Sequence, residues 1–220
     1  MTLTATVTSW LPVGDPPKLL TKLKQRIQFW FASGARLAHS VGLSPNQVSA
    51  IGILFAILSA FSYWKWQTHA ALLIVAPLLV LASGFCDALD GVVARIYGQT
   101  TVFGGFLDSL LDRYADAIVL SGVILGGLCD PGVGLIAVVG SLLVSYARAR
   151  AEAAAVKMET VGMAERAERL IILVAASFLT IVWREALSWG VIVLAIITNV
   201  TVLQRVLYFR KTIQREEKQL

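Results

Sequence analysis

CDALDGVVARIYGQTTVFGGFLDSLLDRYAD, residues 86–116, sets five aspartates into 31 residues of a chain that is otherwise strongly apolar. Of 220 residues, 57% are hydrophobic, and the mean hydropathy is +0.73. Soluble domains hold about 45–50% apolar residues, so this composition describes an integral membrane protein. A spanning helix needs roughly 20 mostly apolar residues. Six segments qualify: 47–66, 69–95, 104–128, 131–156, 163–183 and 186–208. The expected fold is an all-α integral membrane protein with six transmembrane helices. The acidic stretch covers the end of the second and the start of the third.

Working outward, Leu20, Leu23, Ile27, Trp30 and Phe31 recur at helical spacing, with Lys22, Gln25 and Arg26 on the other side. This predicts an amphipathic helix lying on the inner leaflet ahead of the spans. Ser44, Pro45 and Gln47 read as a capping-box start for the first span. The organisation expected is an N-terminal interfacial region (1–45), one membrane domain (46–210) and a polar tail (211–220). Residues 1–16 lack the basic and apolar regions of a secretory signal, so the first span is expected to direct insertion. Cys86 and Cys129 fall at opposite ends of neighbouring spans and are expected to be free thiols.

The net charge of +5 follows the positive-inside rule rather than a nucleic-acid partner. Of 19 Lys and Arg, only Lys65 and Arg184 fall in the turns after the first and fifth spans, and the turn LCDPGVG has none. Both termini are therefore expected in the cytoplasm. Trp64, Trp66, Trp183 and Trp189 are expected as an aromatic belt on the far side.

Within the acidic stretch, Asp87, Asp90, Gly91, Ala94 and Arg95 share one helical stripe. Gly104, Asp108, Asp112 and Asp116 share another. If the two helices face each other, carboxylates converge near the cytoplasmic end, with room left by the small residues. Carboxylates this close take up protons or a cation. Four charges match two divalent ions, and oxygen ligands without nearby His or Cys favour Mg²⁺ or Mn²⁺. Such a pair serves an in-line displacement at phosphorus. Two other readings compete. Arg95, Arg113 and Asp116 could form structural pairs, although intramembrane charge is by default functional. A cation-coupled transporter could use a carboxylate cluster, but would place it at mid-bilayer between repeats, and no repeat is visible.

Asp87-x-x-Asp90-Gly91-x-x-Ala94-Arg95, eight further residues, then Gly104-x-x-x-Asp108-x-x-x-Asp112 resembles the complete signature of the CDP-alcohol phosphotransferases. The resemblance implies a Mg²⁺- or Mn²⁺-dependent transferase in which an acceptor hydroxyl attacks the β-phosphorus of a CDP-lipid and CMP leaves. It implies Asp87, Asp90, Asp108 and Asp112 as metal ligands, with Asp112 also the general base. Donor contacts are implied for Gly91, Ala94, Arg95, Thr101 and Gly104. Asn46, Gln47, Val48 and Ser49 join them, since PNQVS resembles the family's PN-x-x-T start of the first span with Ser49 for Thr. It also implies a homodimer.

SYARARAE and ERAERLIIL are similar to segments of the branch that forms phosphatidylinositol phosphate or archaetidylinositol phosphate. Arg148, Arg150, Arg166 and Arg169 would then bind the phosphate of inositol phosphate, since the planar guanidinium suits phosphate. Snorkelling and surface pairing would also account for those arginines. Glycerol 3-phosphate, equally anionic, stays open as an alternative acceptor. The donor's tails, diacyl or archaeal ether, are not legible.

Overall fold

A computed structural model describes residues 33–158 and 161–217. The predicted amphipathic helix therefore lies almost wholly outside the described residues, as do positions 218–220 of the tail. Among the described residues the chain is helical throughout and has no strands. A short helix, α1 (33–40), precedes α2 (Pro45–Lys65), α3 (Leu72–Ile96), α4 (Val102–Leu125), α5 (Pro131–Ala153), α6 (Arg166–Leu179) and α7 (Ala186–Glu217).

The helix starts follow local chemistry. At α2 the Ser44 Oγ accepts from the Gln47 N–H at 3.4 Å, and Gln47 Oε1 accepts from the Ser44 N–H at 2.8 Å, with Pro45 first in the helix. Thr101 Oγ1 accepts from the Gly104 N–H at 2.9 Å to open α4, and Asp130 Oδ1 accepts from the Val133 N–H at 3.0 Å to open α5. α7 passes position 210 without a break, because Lys211 to Glu217 are mostly good helix formers.

Helix α2 packs on α3 and α4, α5 on α4 and α7, and α6 on α3 and α7. Tyr63, Val119, Val123, Leu187, Val191 and Leu194 lie in the central cluster. With lipid outside, apolar contact alone does not drive helices together, so small residues and polar links do that work. Ser59 Oγ donates to the Ala76 carbonyl at 2.9 Å, and the Tyr63 hydroxyl meets Ser177 Oγ at 2.6 Å, joining α2 to α6. Gly122 of α4 approaches α2 so closely that a Cβ there would stand 2.4 Å from the backbone of Ala60. Gly122→Val should cost about 1–3 kcal/mol through overpacking. A thermal melt in detergent should fall by at least about 2 °C, and an unchanged melt would show that the two helices can move apart.

Among the described residues, four helices are long and apolar enough to cross a membrane: α2, α3, α5 and α7. Their outward faces are studded with exposed apolar side chains such as Leu54, Ile57, Leu78, Ile136 and Ile196. The sequence predicts six spans. The fourth helix has 24 residues but carries Asp108, Asp112, Arg113 and Asp116. The sixth has 14, about 21 Å at 1.5 Å per residue, and ends at Thr180, whose Oγ1 accepts from the Leu187 N–H across the turn. Cys86 and Cys129 are both free and buried. Of the four tryptophans predicted for the far interface, Trp64, Trp183 and Trp189 are exposed, whereas Trp66 donates its indole N–H to the Gly126 carbonyl at 2.8 Å. Trp66 and the turns after α4 and α6 line one cavity, so these connections share one end of the bundle.

Candidate active site

The acidic stretch folds as the stripe geometry requires. Helices α3 and α4 both lean on α2, which brings their polar faces together. One carboxylate oxygen each from Asp87, Asp108 and Asp112 lies within 4.8 Å of the others. Asp90 sits beside this group rather than within it. It is 4% exposed, and Ser49 of α2 donates a hydrogen bond to its Oδ2. The four aspartates, Ser49 and Arg166 surround a small void of about 10 Å³, the size of one water-sized sphere. An all-carboxylate set around a void that small suits a hard divalent cation, and no imidazole or thiolate joins the group.

Arg166, the first residue of α6, reaches into this cluster. Its Nη1 pairs with Asp87 and stands 2.7 Å from Asp112 Oδ1, and its Nε is 3.6 Å from Asp116 Oδ1. The sequence reading places Arg166 on the acceptor side only; the structure sets it against the carboxylates as well, since α6 starts beside α3 and α4. Arg169 is buried, with its Nη2 2.6 Å from Asp116 Oδ2. Arg113 holds the Ser109 carbonyl and hydroxyl, and its Nη1 is 3.8 Å from Asp112.

Two cavities border the cluster, one through Asp90 and Asp108 and the other through Asp87 and Asp112. The first, about 300 Å³, is lined by Asn46, Ser49, Gly91, Ala94, Arg95, Thr101 and Gly104 together with Asp90 and Asp108. These are seven of the nine positions expected to contact the donor. A Cβ at Gly104 would stand 2.9 Å from Thr101 Oγ1 and 3.4 Å from Asn46 Oδ1, so glycine keeps this wall open. The other two positions turn elsewhere. Gln47 is engaged in the α2 cap, and Val48 is buried against α1 and α3.

The second cavity, about 770 Å³, is lined by Asp87, Asp112 and Asp116 together with Arg113, Arg148, Arg166, Arg169 and Arg205. Arg148 Nε also donates to Glu152 Oε1 at 2.8 Å. Arg150 is exposed and does not line this cavity, because it follows Arg148 by two residues and so leaves α5 on another face. Of Arg205 and Arg210, the two arginines of the last span that the sequence offers as a further phosphate contact, Arg205 lines the cavity and Arg210 does not. The signal for Arg205 was an arginine inside an apolar run, VLQRVL.

Transferases of phosphate-linked groups that work inside a membrane are the class this arrangement serves. A family model described as CDP-alcohol phosphatidyltransferase matches residues 43–206, and the chain belongs to that family. It is 36% identical over 196 residues to an archaetidylinositol phosphate synthase of Pyrococcus horikoshii, covering 89% of this chain and 99% of the relative. It is 34% identical over 189 residues to a phosphatidylinositol phosphate synthase of Cutibacterium acnes, covering 77% of this chain and 86% of that one. The fold matches the crystal structure of Mycobacterium tuberculosis phosphatidylinositol phosphate synthase with CDP-DAG bound, at a TM-score of 0.71 and 30% identity, over 81% of this chain and 92% of that one. The same enzyme's complex with manganese and citrate matches at 0.71.

Proposed function

We propose that this protein transfers the phosphatidyl-type group of a CDP-lipid to a hydroxyl of myo-inositol phosphate, releasing CMP. The observation that carries this reading is the arginine-lined cavity that opens directly onto Asp112. An acceptor with its own phosphate fits that lining: guanidinium groups bind phosphate through planar, charge-assisted hydrogen bonds. The names of the relatives point to the same acceptor.

The cytidine diphosphate lies in the smaller cavity, against Asn46, Ser49, Arg95 and Thr101, with the small Gly91, Ala94 and Gly104 admitting it. Asp87, Asp90, Asp108 and Asp112 would hold two divalent cations, Mg²⁺ or Mn²⁺, which would supply positive charge against the diphosphate. The acceptor's phosphate rests between Arg148 and Arg166, which turns its hydroxyl toward Asp112, while Arg169 stands behind them with its guanidinium on Asp116 and the Ala164 carbonyl. Asp112 takes the hydroxyl proton as the oxygen attacks the β-phosphorus. The new P–O bond forms as the bond to the CMP oxygen breaks, and CMP carries away the electron pair. Arg150, exposed and outside the cavity, is left out of this cradle.

The reading includes six spans, with α4 and α6 joining the four longer apolar helices, and both termini and the site facing the cytoplasm. The Lys and Arg distribution supports that orientation. It also includes a homodimer, in keeping with the family, and one catalytic domain over 46–210.

Purified protein given CDP-lipid, Mg²⁺ and labelled inositol phosphate should form labelled lipid and CMP in equal amounts. Turnover of glycerol 3-phosphate but not inositol phosphate would reassign the acceptor. Within this assay, Arg166→Ala should raise the acceptor KM about tenfold or more. An unchanged KM would remove Arg166 from the cradle.

A further inference from the structure

Asp116 is the fifth aspartate of the acidic stretch, and the four-aspartate family pattern leaves it without a role. It lies one turn beyond Asp112 on α4, outside the group formed by Asp87, Asp108 and Asp112. Its Oδ2 stands 2.6 Å from Arg169 Nη2. Arg169 is 7% exposed, and its Nη1 donates to the Ala164 carbonyl at 2.8 Å, in the segment leading into α6. A guanidinium buried this deeply needs its charge and donors matched. Asp116 matches the charge, and Ala164 takes a second donor. From the other side Arg205, 2% exposed, donates to the Val161 carbonyl at 2.9 Å and to the Val144 carbonyl of α5. The backbone just before Arg166 is thus gripped by two buried arginines, and only one of them is backed by a carboxylate at 2.6 Å.

We infer that Asp116 is a positioning residue. By holding Arg169 against the Ala164 carbonyl it fixes the first turn of α6, and so presents Arg166 to the acceptor's phosphate without itself binding metal or substrate. This rests on the proposed reading of the acceptor as a phosphorylated polyol.

Two measurements on Asp116→Asn, Asp116→Glu and Arg169→Lys test it. In steady-state assays Asp116→Asn should raise the KM for the phosphorylated acceptor about tenfold, as loss of an orienting partner does, with kcat, donor KM and Mg²⁺ requirement within about twofold. Asp116→Glu should recover most of that loss, and adding Arg169→Lys to Asp116→Asn should add little. A raised Mg²⁺ requirement would make Asp116 part of the metal set, and fully multiplicative effects would dissolve the pair; either overturns the inference. Without any acceptor, tryptic cleavage at exposed Lys157 between α5 and α6 should accelerate about tenfold in Asp116→Asn at an unchanged melting temperature. An unchanged cleavage rate overturns the positioning role. If the wild type uses no phosphorylated acceptor while cleavage still accelerates, the acceptor reading fails and the brace stands.

Discussion

Asp112→Asn should lower turnover by about 10³-fold or more while CDP-lipid binding stays within a few-fold of wild type. Asn has the same shape, and its Oδ1 can still accept from Arg166, which stands 2.7 Å from the native carboxylate. The cluster therefore keeps its packing. What the amide lacks is the capacity to take a proton from the acceptor hydroxyl, whose own acidity is far too weak for attack at neutral pH. CMP release reads the first quantity and equilibrium binding of CDP-lipid in detergent reads the second. A variant that keeps a tenth of wild-type turnover would move the base to another group. One that loses binding as well would make Asp112 chiefly a ligand.

Chelation should stop turnover, with Mg²⁺ or Mn²⁺ restoring it, and Asp87→Asn should raise the metal concentration for half-maximal rate by at least about tenfold. Asp87 is the carboxylate of α3 that stands within 4.8 Å of both Asp108 and Asp112, so its loss removes the α3 side of the group. Mn²⁺ titration followed by electron paramagnetic resonance reads the same change without substrate. Asp116→Asn serves as the control, because its carboxylate lies outside that group. Turnover that survives exhaustive chelation would refute metal dependence outright.

Much of the site was legible because helical periodicity is local. A three- or four-residue spacing puts aspartates on one face whatever the rest of the chain does, and two such stripes joined by a short turn have few ways to avoid each other. The capping box at Ser44 and Gln47 was legible for the same reason. One consequence escaped the sequence reading: a Gln committed to a cap is not available to a nucleotide. The arginines were harder to assign. That Arg166 reaches across to Asp87 and Asp112, separated from it by 79 and 54 positions in the chain, depends on how α6 docks against α3. No local pattern carries that information. Arg148 and Arg150 looked equivalent in the sequence, yet the rotation of α5 puts only the first in the cavity. Helix ends drifted by a few residues for a related reason. Apolar runs such as 163–183 continue past the point where Thr180 closes the helix, and α7 outlasts its apolar run because polar helix formers extend it.

The two buried sulfhydryls have a practical use. With Cys86 and Cys129 both shut inside the bundle, the described part of the chain offers maleimide reagents almost nothing to modify. A single cysteine introduced at exposed Gln99, in the turn after α3, or at exposed Gln67, in the turn after α2, would then be the dominant reporter against a silent background. Impermeant labelling of sealed, oriented vesicles would show directly which turn lies on which side of the bilayer.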